Sequence, residues 1–139
     1  MLVVAVKLFN LILFTMTELE KLYQNIADTL EQGINNMMAG AKDDYKQNSL
    51  MGKSELSSYC KEKLENFESQ TTVREGKKYI KVIYDRSVFA FIVKEDFKHF
   101  KSGDVLKPAG WAAPALNQPR GNVLKGNYPI QWTGPLYLN

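Results

Sequence analysis

Apolar residues recur at steps of three and four through the first part of the chain, as on one face of an amphipathic helix. Thr17 and Glu20 fit a capping box at the start of this pattern, and Gly40 is a typical stop. The spacing therefore predicts a helix over residues 17–38. Its apolar stripe consists of Leu19, Leu22, Tyr23, Ile26, Leu30, Ile34 and Met37.

A polar segment, 41–53, predicts a loop, and Ser54 then caps a second predicted helix over residues 54–68. The apolar face of that helix includes Cys60. Because apolar neighbours disfavour the thiolate, we expect Cys60 to be a buried structural residue rather than a nucleophile.

After Gln70 the period of the apolar residues changes from about 3.6 to two. Residues 77–84 and 88–94 are rich in β-branched and aromatic side chains, and the turn-like 85–87 between them predicts a hairpin. A third strand is predicted at 105–107. Two further short strands are predicted at 122–124 and 128–132, and residues 133–138 are a candidate edge strand.

These elements predict an α+β fold in which N-terminal amphipathic helices precede a small five-stranded bent antiparallel sheet or barrel, similar to SH3, Sm or OB barrels. We expect an apolar N-terminal extension over 1–15, a helical region over 16–70 and a β-barrel-like unit over 71–139. Together they would form one compact domain, with Phe89, Phe91 and Trp132 in its core.

The first fourteen residues are almost all apolar. As a helix they span about 21 Å, less than the ~30 Å hydrocarbon core of a bilayer. A signal peptide is also a poor match, because no basic region precedes the run. Three interpretations remain open: a buried strand or helix, an interfacial anchor, or an extension upstream of a start at Met16. We expect no stable membrane span and a cytoplasmic protein.

The composition leaves little catalytic chemistry. A single cysteine and a single histidine exclude an intramolecular disulfide and a zinc site of the usual Cys/His type. The carboxylate pairs Asp43/Asp44 and Glu95/Asp96 lie in polar segments, and His99 has no placed partner. No glycine-rich phosphate loop is present. The sequence therefore indicates a protein that is not an enzyme, with no cofactor and no metal.

Charge is unevenly distributed, with a net charge of −2 on residues 1–74 and +5 on residues 75–139. Small barrels bind single-stranded nucleic acid by combining basic grooves with aromatic stacking platforms. Trp111 and Arg120, in a proline-bounded loop, are the preferred stacking pair. The candidate nucleic-acid-binding residues are Lys78, Lys81, Arg86, Lys107, Trp111, Arg120 and Lys125.

The apolar helix stripes and the lack of site chemistry favour another class of function. We expect a non-enzymatic accessory or structural protein that acts through protein–protein contacts, most readily as a homo-oligomer. Binding of RNA or single-stranded DNA by a small Sm-like or OB-like barrel is the alternative.

Three stretches near the C-terminus carry a resemblance: 100–108 (FKSGDVLKP), 111–122 (WAAPALNQPRGN) and 128–138 (YPIQWTGPLYL). They are similar to short uncharacterised proteins of tailed phages, particularly contractile-tailed phages of marine cyanobacteria. The similarity covers about the last 60 residues, with a weaker match in the helix after Met16. It implies a viral or marine origin and action in a host cytoplasm. It assigns no role to any residue.

Overall fold

The structure is a computed structural model that describes the backbone of residues 2–138 and the side chains of residues 17–26 and 28–138. Two helices precede a sheet in the order α1 (Leu2–Leu50), α2 (Ser58–Glu65), β1 (Thr71–Glu75), β2 (Tyr79–Tyr84), β3 (Ser87–Val93) and β4 (Val105–Leu106). The chain divides into two compact units, Met1–Gln32 and Gly33–Asn139.

Helix α1 continues well past the stop predicted at Gly40, so the predicted loop over 41–53 is wrong for most of its length. Ala41 and Tyr45 are buried and extend the apolar stripe at four-residue steps. Asn48 is exposed and bonds back to Asp44 one turn earlier. The polar residues therefore occupy the outer face of a continuing helix.

The predicted start at Thr17 is also wrong, because α1 already begins at Leu2. Thr17 and Glu20 are thus interior helical positions rather than a capping box. The side chains of residues 1–16 lie outside the described part. The helical backbone of the apolar N-terminal run excludes a strand there, whereas its burial or its role as an interfacial anchor concerns side chains outside the described part.

Helix α2 is shorter than the predicted 54–68. Its N-cap is Ser57 rather than Ser54, and the Ser57 Oγ accepts a hydrogen bond from the Cys60 amide at 3.2 Å. Phe67 follows the helix, is fully buried and lies 4.6 Å from the Tyr84 ring, measured between centroids. This aromatic contact joins the end of α2 to strand β2.

The sheet is antiparallel throughout, with strand order β1-β2-β3-β4. The predicted hairpin is confirmed as β2 and β3, and its turn contains Asp85 with φ of 57°. Strand β4 is a shorter version of the predicted third strand. Strand β1 was not predicted, because its sequence TTVRE has one apolar residue and lies almost wholly exposed at the sheet edge.

The predicted five-stranded bent sheet or barrel is wrong, because the described residues form an open antiparallel sheet of four strands. The segments predicted as strands at 122–124 and 128–132 form only single bridges, Asp104 with Asn122 and Gln131 with Gly134, and 133–138 adds no strand. Proline has no N–H to donate to a ladder, and Pro129 and Pro135 interrupt this region.

The C-terminal segment, residues 122–135, instead runs along α1 and covers it. A Cβ on Gly33 would overlap with Val123, and one on Gly40 would lie 3.0 Å from the Cγ2 of Ile130. Further along, the Trp132 ring packs edge-on against Tyr45 with centroids 5.2 Å apart. The two α1 glycines therefore allow close approach of this segment rather than ending the helix.

A polar network holds the start of this covering segment. The Asn122 amide donates to the Ser102 carbonyl at 2.9 Å and to the buried Asp104 carboxylate at 3.0 Å. Its oxygen accepts from the Leu124 amide at 2.8 Å. Asp104 also accepts from the Lys101 amide at 2.8 Å. The Asn122 side chain thus reinforces backbone hydrogen bonds that join the same two segments, such as the one from the Val123 amide to the Gly103 carbonyl at 2.9 Å.

The core prediction is confirmed in part. Phe89 and Phe91 are buried, whereas Trp132 is half-buried and its amide donates to Asp44 Oδ2 at 2.9 Å. One buried cluster lies on the sheet and combines Phe91, Val93, Phe100 and Leu106 with the partly buried Tyr79, Val88 and Phe97.

Candidate functional site

The register of the sheet places two cations side by side. Arg74 of β1 lies directly opposite Lys81 of β2, and Lys81 lies opposite Phe91 of β3. Directly opposed residues of antiparallel strands project from the same face of the sheet. Arg74, Lys81 and Phe91 therefore form a row across one face.

The loop between β4 and the C-terminal segment carries Trp111 and is fastened at its base. The Ala115 amide donates to the Lys107 carbonyl at 2.8 Å, and the Ala109 amide donates to the Ala113 carbonyl at 3.0 Å. These bonds close the loop around Trp111, which is 51% exposed.

Trp111 sits against the two cations of the row. The Lys81 Nζ lies 4.7 Å from the indole centroid, and the Arg74 Cζ lies 5.8 Å from it. Each such contact contributes about 0.5–1 kcal/mol at an exposed site. Among the described side chains, neither Arg74 nor Lys81 forms an ion pair. Their positive charge is therefore available to an anion.

The row continues into a longer strip of rings and cations. The Tyr79 ring lies 5.7 Å from Phe91 and 5.9 Å from Phe97, and the Lys78 Nζ lies 5.2 Å from the Phe97 centroid. We use "basic-aromatic strip" for the members that reach solvent, Arg74, Lys78, Lys81, Phe97 and Trp111. Two neighbouring cations thus share the Trp111 ring, and a third lies over Phe97.

Lys107 and Arg120, two other predicted binding residues, are engaged in fastening the C-terminus. The Lys107 Nζ donates to the Pro135 carbonyl at 2.7 Å, and Arg120 donates to the Leu136 carbonyl at 3.1 Å and to Asn117 Oδ1 at 2.6 Å. Burial, followed by the nearby Arg120 charge, lowers the pKa of Lys107.

Arg86 and Lys125, the remaining predicted residues, are exposed in two turns. No side-chain contact in the described part joins either one to the basic-aromatic strip. The structure therefore brings together Lys78, Lys81 and Trp111 of the predicted set and adds Arg74 and Phe97. Arg74 was missed because strand β1, and with it the register opposite Lys81, was not predicted.

A second exposed surface lies on α1. Leu19, Leu22, Tyr23 and Ile26 are 47%, 54%, 61% and 38% exposed, at the spacing of one helix face. We call these four residues the open apolar face. Large apolar side chains clustered in contact with water indicate an interaction surface more strongly than scattered ones do.

Cys60 differs from the prediction, since it is half-buried rather than buried. Its pKa is lowered, first by a hydrogen bond with the Ser57 side chain and then by one with Tyr45, whose hydroxyl lies 3.7 Å from the sulfur. The expected raising of its pKa by apolar burial is therefore wrong.

One carboxylate of each pair named in the sequence, Asp44 and Asp96, has a structural partner. Asp44 accepts from the Trp132 amide, and Asp96 accepts from the Ser102 amide at 2.8 Å, which lowers the pKa of Asp96. His99 lies against the Phe100 ring, with its Nε2 3.4 Å from the Asn117 carbonyl.

Within the described residues, no cluster of three or more His, Cys, Asp or Glu side chains is arranged to hold a metal ion. In that same part of the chain, no helix combines the length and apolar character needed to cross a bilayer.

These features define an α+β protein in which a long helix and a short one accompany an open four-stranded antiparallel sheet. The model of a family of unknown function (DUF7717) matches residues 11–138, so the chain belongs to this family. Neither a curated protein nor a solved structure matches it.

Proposed function

We propose that this protein is a non-enzymatic accessory or structural protein that acts through protein–protein contact, and that it self-associates through the open apolar face of α1. The observation that carries the proposal is the exposure of four large apolar residues on one helical face. Covering such a face removes apolar surface from water, at about 25 cal/mol per Å².

The spacing of the open apolar face suits a second helix as its partner. Leu19 and Ile26 are seven residues apart with Leu22 between them, which gives the a and d positions of a heptad, and Tyr23 flanks them at e. Upstream in the sequence the same frame places Ile12 at a and Leu8 at d, with Thr15 at the d position between Ile12 and Leu19. A coiled-coil seam of this kind buries a and d side chains against equivalent positions of another helix.

The polar residues of α1 leave this seam free of most charge. In the heptad frame, Glu20, Lys21, Asp28 and Glu31 occupy the outer b, c and f positions. The outer Gln24 side chain donates to Asp28 at 2.9 Å, and the Thr29 hydroxyl donates to the Asn25 carbonyl at 2.6 Å, so both polar groups have partners within the helix. A second copy presents the same apolar face, so the contact closes by two-fold symmetry.

We also propose an origin and a cellular location for this protein. The resemblance of the last 60 residues to tailed-phage proteins supports a phage protein that acts in the cytoplasm of its host. The engagement of Asp44 and Asp96 by backbone amides supports a non-enzymatic role, because these carboxylates are used in holding loops.

The test is the mass of the full-length protein by light scattering and sedimentation across a range of concentrations. We expect the wild type to form a dimer or larger assembly and Leu22→Glu to remain monomeric. The matched control is Gln24→Glu, which adds the same charge on the outer face and should leave the assembly intact.

A wild-type protein that is monomeric at every concentration would overturn the proposal. So would a Leu22→Glu protein that assembles as the wild type does. Circular dichroism of both variants checks that the helix is retained, and we expect no loss because Leu22 is already exposed.

A further inference from the structure

We propose that the basic-aromatic strip binds single-stranded nucleic acid, with Trp111 as the stacking platform and Arg74, Lys78 and Lys81 as the phosphate-binding cations. This is a separate activity from self-association, and its residues belong to the unit Gly33–Asn139 rather than Met1–Gln32.

Trp111 has the properties of a stacking platform. The cations Lys81 and Arg74 lie within 4.7 and 5.8 Å of its ring centroid, and about half of the residue remains in contact with solvent. Hydrogen bonds across the base of its loop restrict the backbone that carries the ring, and the two cations lie against the ring itself. A ring held in this way loses little conformational freedom when a base stacks on it.

Within the part of the chain whose side chains are described, no carboxylate forms an ion pair with a cation of the strip. Glu75 follows Arg74 in the chain, but its carboxylate pairs with Lys94, and successive strand residues project from opposite faces. Among the residues whose side chains are described, no ion pair engages Lys78. A phosphate therefore displaces no existing salt bridge when it binds this strip.

The strip combines cations with aromatic rings, as binding surfaces for single-stranded nucleic acid do. Arg74 and Lys81 lie side by side against Trp111, and Lys78 lies beside Phe97. A single strand presents bases that can stack on such rings and phosphates that can bind the cations. An acidic peptide would satisfy the cations but would not use the indole face, so single-stranded nucleic acid fits better.

The test is a fluorescence-anisotropy titration of a labelled oligothymidylate of about twelve nucleotides, a length within the usual site size of one small binding module. Three phosphate contacts on a single strand predict a slope of log K against log salt of about −2. Raising salt from about 50 to 200 mM should then weaken binding about twentyfold.

Substitutions separate stacking from charge. Trp111→Ala should weaken binding by about five- to a hundredfold, and Trp111→Phe should restore most of it. Lys81→Ala should reduce the magnitude of the salt slope by about 0.7. The matched control is Lys61→Ala, which removes one exposed lysine from α2 and should change neither affinity nor slope.

Three results would overturn the inference: no binding at low salt, equal binding by wild type and Trp111→Ala, or equal weakening by Lys61→Ala and Lys81→Ala. Polyglutamate serves as the competitor. If it displaces the oligonucleotide at equal charge concentration, the surface is a general anion binder and the proposed ligand is wrong. The monomeric Leu22→Glu protein is titrated in parallel, so that the two proposals fail independently.

Discussion

Helix α1 carries one apolar stripe in two environments. From Ile34 to Tyr45 the stripe is buried, and the C-terminal segment packs on the helix at Gly33, Gly40 and Tyr45. From Leu19 to Ile26 the same stripe is exposed. The periodicity of a helix thus identifies its apolar face, but a distant part of the chain decides whether that face is covered.

The largest expected effect separates these two stretches directly. Met37 is 2% exposed, so Met37→Ala should lower the free energy of unfolding by about 2–5 kcal/mol through lost burial and a cavity. Leu22→Ala, in the open stretch, should change it by less than about 0.5 kcal/mol at concentrations where the chain is monomeric. Urea denaturation of both variants measures this. Equal losses in the free energy of unfolding would mean that the two stretches of α1 do not differ in burial.

The second test perturbs the packing of the C-terminal segment against α1 at Gly33. Gly33→Ala should improve helix propensity by about 1 kcal/mol, but the added methyl group would overlap with Val123, including its backbone. Overpacking typically costs about 1–3 kcal/mol, so we expect a lower melting temperature. A higher melting temperature would show that Val123 does not press on the helix there.

The third test loosens the attachment of the C-terminal segment without changing any residue of α1. Asn122→Ala removes the donor to Asp104 and Ser102, leaving the buried carboxylate with fewer partners. We expect a loss of about 1–3 kcal/mol in the free energy of unfolding. Hydrogen exchange should show faster exchange at residues 122–126. Unchanged exchange there would argue against Asn122 as the fastening residue.

The smallest expected effect is a pH dependence of the free energy of unfolding that arises from Tyr128 in the C-terminal segment. Burial raises the pKa of Tyr128 to about 12, and its ring packs against Gly121. Because the folded pKa exceeds the unfolded one, this contribution to stability is complete below pH ~10 and is lost as pH rises toward 12. Tyr128→Phe should therefore flatten the decline in stability measured by thermal unfolding between these values. An identical decline in both proteins would contradict the assignment.

Local chemistry in the sequence was enough to predict the α+β class, the β2–β3 hairpin and the apolar face of α1. It missed β1, because an exposed edge strand needs no alternation of apolar and polar residues. It also ended α1 at Gly40, a glycine that allows Ile130 to approach the helix closely. The last segment was mistaken for strands because, beyond Asn122, it packs on α1 through Val123, Ile130 and Trp132. These contacts join residues far apart in sequence.

Prediction of the candidate site was limited in the same way, because the site depends on contacts between residues far apart in sequence. Lys78, Lys81 and Trp111 were recognised by type, whereas Lys107 and Arg120 were recognised by type but are engaged with backbone carbonyls. Arg74 became visible only through its register opposite Lys81. Residue chemistry can propose members of a basic surface, but strand pairing decides which of them are neighbours.

The central claim is that the exposed stretch of α1 is covered by a second copy of the chain. It is tested most directly by cross-linking with a short bis-maleimide in a Cys60→Ser background. Leu22→Cys should give a covalent dimer at low micromolar protein, and Gln24→Cys, two residues away on the outer face, should give far less. Equal cross-linking at both positions, or none at Leu22→Cys, would contradict the claim.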